Sequence, residues 1–504
     1  MIQQRFFALL PYVGALMAGA LFQRGFTPTG ESWFAILGLL AWLLLLERAH
    51  DRRESALLGL AFGLTWFGLG LQWTVNSMTE HGHMPWLLSE IGVFLLALLL
   101  SISPLITALL TGLRAGQSLW RFVLRWATAF TFMEWFRGVG VMQFDWLNPA
   151  YLAAGLPIGG WAPVVGEYGL LLIFLLAVGS LLLLGLGRAR EKLAGLTVLV
   201  LAAGVGSWSM QHAWSQPLGE VKVEVMQPNM PVVDAFMRVR AVDRVHELMA
   251  IRANLVDLKE RPLFALMPEG IVNEPIERLS PAAGRSIQML LEDTSVPTYL
   301  NAFRLEGHNF YNTSFLLDRR GLLGEVDKRR LVPFGEYVPA GARWFVNLLG
   351  IPMADLTSGA DGQHTDQIDG VSVGLLICYE NLFGDVLREY WQSGVPPELI
   401  AVTANLGWFG LEANDQHLQI SRLRALEVAR PIVSASNNGL SAVLDAHGKI
   451  LLTLPKDRAE VKVVTVPRMT GDPTPYVRMG LWPVILVVCA LFLFAFWRRE
   501  KPQA

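Results

Sequence analysis

Of the two cysteines in the chain, Cys378 stands where the apolar run Val371-Ser-Val-Gly-Leu-Leu-Ile377 gives way to the polar tripeptide Cys378-Tyr379-Glu380. A thiol delivered by the end of a strand is a candidate nucleophile, although a free cysteine taken by itself is most often an inert, buried, small hydrophobe. Three other segments also put chemistry beside apolar runs. Phe264-Ala-Leu-Met-Pro-Glu269 ends in a carboxylate, and Lys328-Arg-Arg-Leu-Val-Pro-Phe-Gly-Glu336 sets a turn between a cation and a second carboxylate. Thr403-Ala-Asn405-Leu-Gly-Trp408-Phe409-Gly410 follows, then Gln416-His417 and Ser436-Asn-Asn-Gly439. Taken singly, Glu269 reads as a solvated loop residue and Lys328 as part of a solvated basic patch. Taken together, a thiol, a carboxylate able to accept its proton and an ammonium able to stabilise an oxyanion are the parts that acyl transfer through a covalent intermediate needs.

The elements that must position these groups follow from composition and pattern. At 504 residues, 53% hydrophobic and 17% charged, the chain is too apolar for an ordinary soluble protein and too charged in its second half for a membrane bundle alone. Apolar stretches long enough to cross about 30 Å of hydrocarbon fall near 7–23, 31–47, 55–74, 86–113, 120–136, 163–187, 193–211 and 480–497. The first reads as a span rather than a cleaved leader, because further spans follow it. Arg5, Arg48, Arg52, Arg53, Arg114, Arg121, Arg188, Arg190, Lys192, Arg498, Arg499 and Lys501 all fall on one face of an eight-span arrangement, whereas the opposite connections hold little beyond Arg24 and Arg137. The excess of cations on cytoplasmic loops then predicts cytoplasmic termini and an exoplasmic polar region.

That region, 220–470, shows short apolar runs at 221–226, 262–267, 297–303, 311–317, 371–377, 398–404, 431–436 and 440–445, with amphipathic stretches at 235–258, 281–293 and 415–429. The pattern predicts an α/β sandwich with its reactive groups at strand ends. The expected organisation is a seven-span domain over 1–212, the α/β domain over 220–470 and an eighth span with its tail over 478–504. Cys489 lies inside the last apolar stretch and reads as a packing residue, so the polar domain has a single cysteine and no internal disulfide. A net charge of −2, with no basic stripe carrying interleaved aromatics, gives no sign of nucleic-acid binding. His81 and His83 share a polar loop without further ligands and read as solvated rather than metal-binding.

Glu, then Lys, then Cys, each beside a strand in one domain, resembles the catalytic order of the nitrilase superfamily. With apolar spans before and after it, the whole chain is similar to the apolipoprotein N-acyltransferase family. The resemblance is carried by Lys328 to Tyr337, Ile377 to Glu380, Trp408 to Gly410 and Gln416 to Gly439, with Glu134-Trp-Phe-Arg-Gly138 and Pro163-Val-Val-Gly-Glu-Tyr-Gly169 in the membrane half. It implies an α-β-β-α nitrilase-like sandwich inserted in a helical transmembrane bundle, in the inner membrane of a bacterium with the sandwich periplasmic. It also implies Glu269 as base, Lys328 as oxyanion stabiliser and Cys378 as nucleophile. A membrane phospholipid would be the acyl donor and a diacylglyceryl apolipoprotein the acceptor, with no cofactor and no metal. Both substrates are anchored in the bilayer, so an exoplasmic domain meets them without extracting lipid into water.

Among the remaining residues, the Tyr379 backbone N–H is a candidate second oxyanion donor. Glu336 and Glu380 are candidates for holding Lys328 and Glu269 or for touching substrate, and Asn312 and Asn405 for orienting hydrogen bonds. Trp408 and Phe236 are candidate substrate contacts, and 337–365 and 383–395 candidate covers over the site. Three positions depart from the family's pattern. Leu406 stands where an acidic residue is usual, Gly270 where Ser is common, and Phe236 where a tryptophan is common, which predicts a narrowed or shifted substrate range. Two other readings remain open: a membrane-tethered amidase or hydrolase, with water resolving the acyl-cysteine, and a catalytically silent lipoprotein-binding scaffold.

Overall fold

The computed structural model describes residues 2–26, 31–112, 118–139, 143–232, 240–256, 261–339, 341, 343–344, 355–360, 362, 364–392 and 394–497. The chain divides into two compact units. One holds Met1–Thr79, His83–Ala213 and Thr474–Ala504; the other holds Glu80–Gly82 and Trp214–Pro473.

The second unit is built on two six-stranded sheets. The first sheet contains β1 (Gln216–Gln227), β2 (Phe264–Leu266), β3 (Thr298–Glu306), β4 (Asn309–Asp318) and β5 (Gly321–Asp327). The second contains β6 (Asp366–Ile368), β7 (Val371–Ile377), β8 (Leu399–Ala404), β9 (Ile432–Ser436), β10 (Ala442–Leu444) and β11 (Ile450–Thr453). The last strand, β12 (Glu460–Thr470), returns to the first sheet and pairs antiparallel with β1, placing Val223 opposite Val464. The strand orders are β12-β1-β2-β3-β4-β5 and β11-β10-β9-β8-β7-β6.

Pairing is parallel in the middle of each sheet, β1 with β2 with β3 and β7 with β8 with β9, and antiparallel outside. Strands β7, β8 and β9 are buried along their whole length, which explains their unbroken apolar runs. Side chains alternate between faces. Val223, Val225, Phe264 and Leu266 of the first sheet pack with Val373, Leu375, Leu399 and Ala401 of the second in one core. On the outer face of the first sheet, Met226, Ala265 and Leu300 pack under helices Ala241–Leu255 and Pro281–Thr294. The sheets are thus sandwiched together, with helices outside, as the α-β-β-α expectation requires.

In the membrane-type unit, helices Ile2–Arg24, Ser32–Arg48, Arg52–Gly70, Trp86–Leu100, Ile102–Thr111, Leu119–Val139, Ala162–Leu186, Ala189–Gln211 and Trp482–Trp497 occupy the stretches expected to be apolar spans. By length and apolarity alone, three described helical segments can cross a bilayer: Trp86–Thr111, Pro157–Leu186 and Ala189–Gln211. A fourth qualifies if the bent pair Arg52–Gly70 and Trp73–His81 is one span. Cys489 is half-buried.

An irregular stretch after Leu119–Val139 would leave carbonyls unsatisfied in apolar surroundings. The buried Arg137 donates to the carbonyls of Phe144 at 2.6 Å and Trp146 at 2.8 Å, and is neutralised by Glu134 at 2.5 Å. Gly166 has a φ of +66° inside Ala162–Leu186, and a Cβ there would come within 2.4 Å of the Tyr476 ring, so only glycine fits.

Arg252 is held between the sheet and the helices by Glu224 at 2.6 Å, both side chains being almost wholly buried, and by the more exposed Asp293 at 2.6 Å. Removing one partner of a buried pair leaves an uncompensated charge, whereas replacing both with apolar residues does not. Glu224→Ala is expected to cost about 3 kcal/mol, with most of it recovered in Glu224→Leu/Arg252→Met. Thermal unfolding of the three full-length proteins checks this.

Candidate active site

Three strand ends converge. β2 runs through Met267 and Pro268 into Glu269, β7 ends directly in Cys378, and β8 ends at Ala404 beside Asn405. The two sheets are pinned at this end by the Thr403 hydroxyl, which donates to the Met267 carbonyl at 2.9 Å. Lys328 arrives from β5, its N–H donating to the Asn312 carbonyl on β4 at 2.8 Å.

The Lys328 ammonium is buried and donates to Glu269 Oε1 at 3.0 Å and to Glu336 Oε1 at 2.9 Å. Asn312 binds the same two oxygens from its side-chain amide, at 2.8 Å to Glu269 and 2.9 Å to Glu336. Two carboxylates are thereby held around one cation and one amide. Asn312 is oriented by Asn301, whose Nδ2 donates to its Oδ1 at 2.7 Å and whose own Oδ1 accepts from the Gly270 N–H at 2.8 Å. Glu336 is fixed from the other side by the Val332 N–H at 2.8 Å. Burial by itself pulls the Lys328 ammonium down, but Glu269, Glu336 and the Cys378 sulfur outweigh it and hold it well above the ordinary lysine range.

Cys378 is buried and has a φ of +52°. A left-handed conformation in a residue other than glycine costs roughly 1–2 kcal/mol, so the surroundings must impose it. They do so through Glu380, wholly buried, whose carboxylate accepts from the Ile377 N–H at 2.9 Å and the Arg329 N–H at 2.7 Å. This ties the turn at Cys378–Leu382 to the residues after Lys328. The Cys378 thiol hydrogen-bonds to the Glu269 carboxylate and accepts from the Asn405 backbone N–H. Burial first, then the charge of Glu269, push the thiol well above its ordinary range, against the opposing pull of Lys328 and the Asn405 N–H. Lys328 by itself would lower the thiol pKa, but burial and the adjacent carboxylate prevail.

The remaining predicted residues separate clearly. Glu336 and Asn312 contact the Lys328 centre. Glu380 contacts backbone only, and its burial removes it from substrate; burial raises its own pKa against the pull of the N–H groups it binds. Tyr379 is buried with its ring edge-on to Phe383 at 5.3 Å. Asn405 is buried, and Trp408 is half-buried at the end of the turn Leu406–Trp408. Phe236 lies outside the described residues, as do positions 340, 342, 345–354, 361 and 363 of the first candidate cover, 337–365. The second candidate cover, 383–395, is packed rather than free: Val386, Leu387 and Tyr390 are fully buried, and the Tyr390 hydroxyl binds both the N–H and the carbonyl of Leu375.

Two departures from the family pattern have a structural setting. Gly270 has a φ of +77°, which favours glycine. Leu406 is buried in one apolar cluster with Ile377, Cys378 and Ala404, with Phe409 packed on it. Sequence reasoning gave no role to Asn301, a lone polar residue in an apolar strand, or to His417. His417 is buried on helix Gly410–Val428, hydrogen-bonded to the Cys378 backbone, and burial lowers its pKa to about 4. Among the described residues no cluster of His, Cys, Asp and Glu could hold a metal ion.

A carboxylate, an ammonium and a thiol at converging strand ends of an α-β-β-α sandwich define the carbon–nitrogen hydrolase, or nitrilase, class, and residues 285–476 match the family Carbon-nitrogen hydrolase. Residues 18–180 match the Apolipoprotein N-acyltransferase N-terminal domain. Over 502 residues the chain is 33% identical to Apolipoprotein N-acyltransferase of Ralstonia nicotianae, covering 97% of this chain and 94% of that one. Over 501 residues it is 34% identical to Apolipoprotein N-acyltransferase of Bordetella bronchiseptica, covering 90% of each. The chain belongs to the apolipoprotein N-acyltransferase family.

Two substitutions test this geometry. Asn312→Leu removes the amide that bridges the two carboxylates and is expected to slow acylation of Cys378 roughly tenfold or more, the usual scale for one buried polar group left unpaired. Burst-phase labelling by an activated ester measures it. Leu406→Asp puts a carboxylate in an apolar cluster and is expected to lower stability by about 2 kcal/mol and to raise the thiol pKa further. A melting curve and a pH series of alkylation rates read these out.

Proposed function

We propose that the protein transfers an acyl chain from a membrane phospholipid, through a thioester on Cys378, to the α-amino group of the diacylglyceryl-modified N-terminal cysteine of an apolipoprotein. The observation that carries this reading is the hydrogen-bonded set of Cys378, Glu269 and Lys328 in a chain aligned over nearly its full length with apolipoprotein N-acyltransferases.

In the first half-reaction Sγ attacks the phospholipid ester carbonyl while Glu269 accepts the thiol proton. Lys328 and the Tyr379 N–H stabilise the tetrahedral oxyanion. Collapse breaks the ester C–O bond, and Glu269 returns the proton to the departing alcohol, leaving lysophospholipid and the acyl-cysteine. In the second, the acceptor amine attacks the thioester, its surplus proton passes to Glu269, and the thiol leaves protonated. A thioester suits this sequence because it remains reactive toward an amine. Glu336 holds Lys328, Glu380 and Asn405 hold the turn and the sulfur, and Trp408 lines the substrate approach. Leu406 gives the sulfur an apolar neighbour where the family more often has a carboxylate, the departure on which a narrowed or shifted substrate range rests.

The domain order is a seven-span domain over 1–212, the catalytic domain over 220–470 and an eighth span over 478–504. The distribution of Lys and Arg supports cytoplasmic termini and a periplasmic catalytic domain in a bacterial inner membrane. The match to Carbon-nitrogen hydrolase also supports a second reading, in which water resolves the acyl-cysteine.

Intact and peptide mass spectrometry of the purified protein, incubated with a defined phospholipid beside Cys378→Ala, tests the proposal. An acyl mass on the Cys378 peptide, absent from the variant and discharged by a lipopeptide amine into an N-acylated product, is expected. Free fatty acid with no N-acylated product points to the hydrolase, and no adduct on a folded protein refutes the thioester.

A further inference from the structure

His417 has no part in the chemistry just described, yet it lies against the nucleophile's own backbone. It is on helix Gly410–Val428, is buried, and its ring hydrogen-bonds to the Cys378 main chain in the sense that favours a proton on the ring. The ring is therefore the donor and the Cys378 carbonyl the acceptor. Its Nε2 faces the Asn381 side-chain amide at 3.4 Å.

The amide nitrogen of Asn381 lies between Ser421 and the His417 ring, and its Oδ1 is left buried without a hydrogen-bond partner. Ser421 Oγ donates to the His417 carbonyl at 3.1 Å and so accepts from Asn381 Nδ2 at 2.7 Å. In this orientation Asn381 presents N–H groups to Ser421 and to Nε2, and Nε2 offers a lone pair. The imidazole is neutral, with its proton on Nδ1. A second proton would set N–H against N–H in a buried setting.

We propose that His417 is a positioning residue for the acylation step: its Nδ1–H grips the Cys378 carbonyl and keeps the turn in the left-handed conformation that aims Sγ at Glu269. Glu380 grips the N–H of Ile377, just before the turn, and Arg329, and the two side chains hold the elbow from opposite ends. A left-handed cysteine relaxes when either grip is released. His417 acts through Cys378 and touches neither substrate nor the reacting sulfur. The inference rests on the thioester reading above for its effect on turnover, though not for its effect on the thiol.

The test compares full-length His417→Leu, which fills the space without a donor, with His417→Asn, whose amide keeps an N–H near the position of Nδ1. Phospholipid acylation is expected to lose roughly tenfold or more in kcat in His417→Leu with KM unchanged. His417→Asn is expected to restore it to within about threefold. Iodoacetamide alkylation of Cys378, which needs no lipid, is expected to rank the proteins in the same order. Equal rates in wild type and His417→Leu overturn the proposal, as does equal impairment of both variants at unchanged melting temperature. If His417→Leu does not fold, Asn381→Leu takes its place: the ring loses its brace, and the same split between kcat and KM is expected, an unchanged kcat overturning the proposal. Absence of lipid acylation in wild type with the alkylation order intact refutes the transferase reading and leaves the positioning role standing. Normal acylation in every variant does the reverse.

Discussion

A buried lysine ammonium is the constraint around which this site is arranged. Burying such a charge is expensive unless it is paired and hydrogen-bonded, and Lys328 meets that requirement with Glu269 and Glu336 at 3.0 and 2.9 Å. Two carboxylates drawn to one cation repel each other, and the Asn312 amide between them relieves this by donating to both. Asn301 exists in its orientation to aim Asn312, and the turn from Val332 to Glu336 exists to bring the second carboxylate back to the first. One buried charge therefore dictates residues on β3, β4, the end of β2 and the loop after β5.

The thiol inherits its state from the same centre. Glu269 faces it as a hydrogen-bond acceptor, and the charge of that carboxylate works with burial to keep the proton on sulfur. The resting enzyme on this account stores a thiol and a base in contact rather than a thiolate, and proton transfer accompanies attack. The nearby cation then serves the oxyanion of the tetrahedral stage. Aim matters more than ionisation in such a site, and the left-handed Cys378 is gripped on its flanks by Glu380 and His417.

Much of the sandwich is legible in the sequence because its central strands are buried on both faces. Val371–Ile377 and Leu399–Ala404 appear as unbroken apolar runs of strand length, and the polar residues that interrupt them mark the strand ends where the site forms. Among the described strands sequence reasoning passes over four: Ile450–Thr453 is only four residues long with no buried position, and the other three lack this signal. Gly321–Asp327 exposes Leu322 and Leu323, Asp366–Ile368 is too short to show a period, and Glu460–Thr470 carries Pro467, which reads against a strand. Pro467 is tolerated because β12 is an edge strand. Glu269, Lys328 and Cys378 are conspicuous as polar groups adjoining apolar runs, and the structure brings their side chains into contact. Asn301 and His417 stay hidden for the opposite reason. One is a lone amide inside a strand and the other sits in a helix rich in polar residues that the fold nevertheless buries, such as Asn414, Gln416, Ser421 and Arg424. Only tertiary packing separates those from a solvated face.

The central claim is that Glu269 both accepts the thiol proton and, by its charge, keeps it there at rest. The pH dependence of Cys378 alkylation in full-length wild type and Glu269→Gln tests this most directly. With the negative charge gone and Lys328 still in place, the thiol must ionise at lower pH in the variant, while acylation by phospholipid is lost for want of a base. A thiol in the wild type that is already ionised at neutral pH, or one whose ionisation moves upward in Glu269→Gln, would contradict the account.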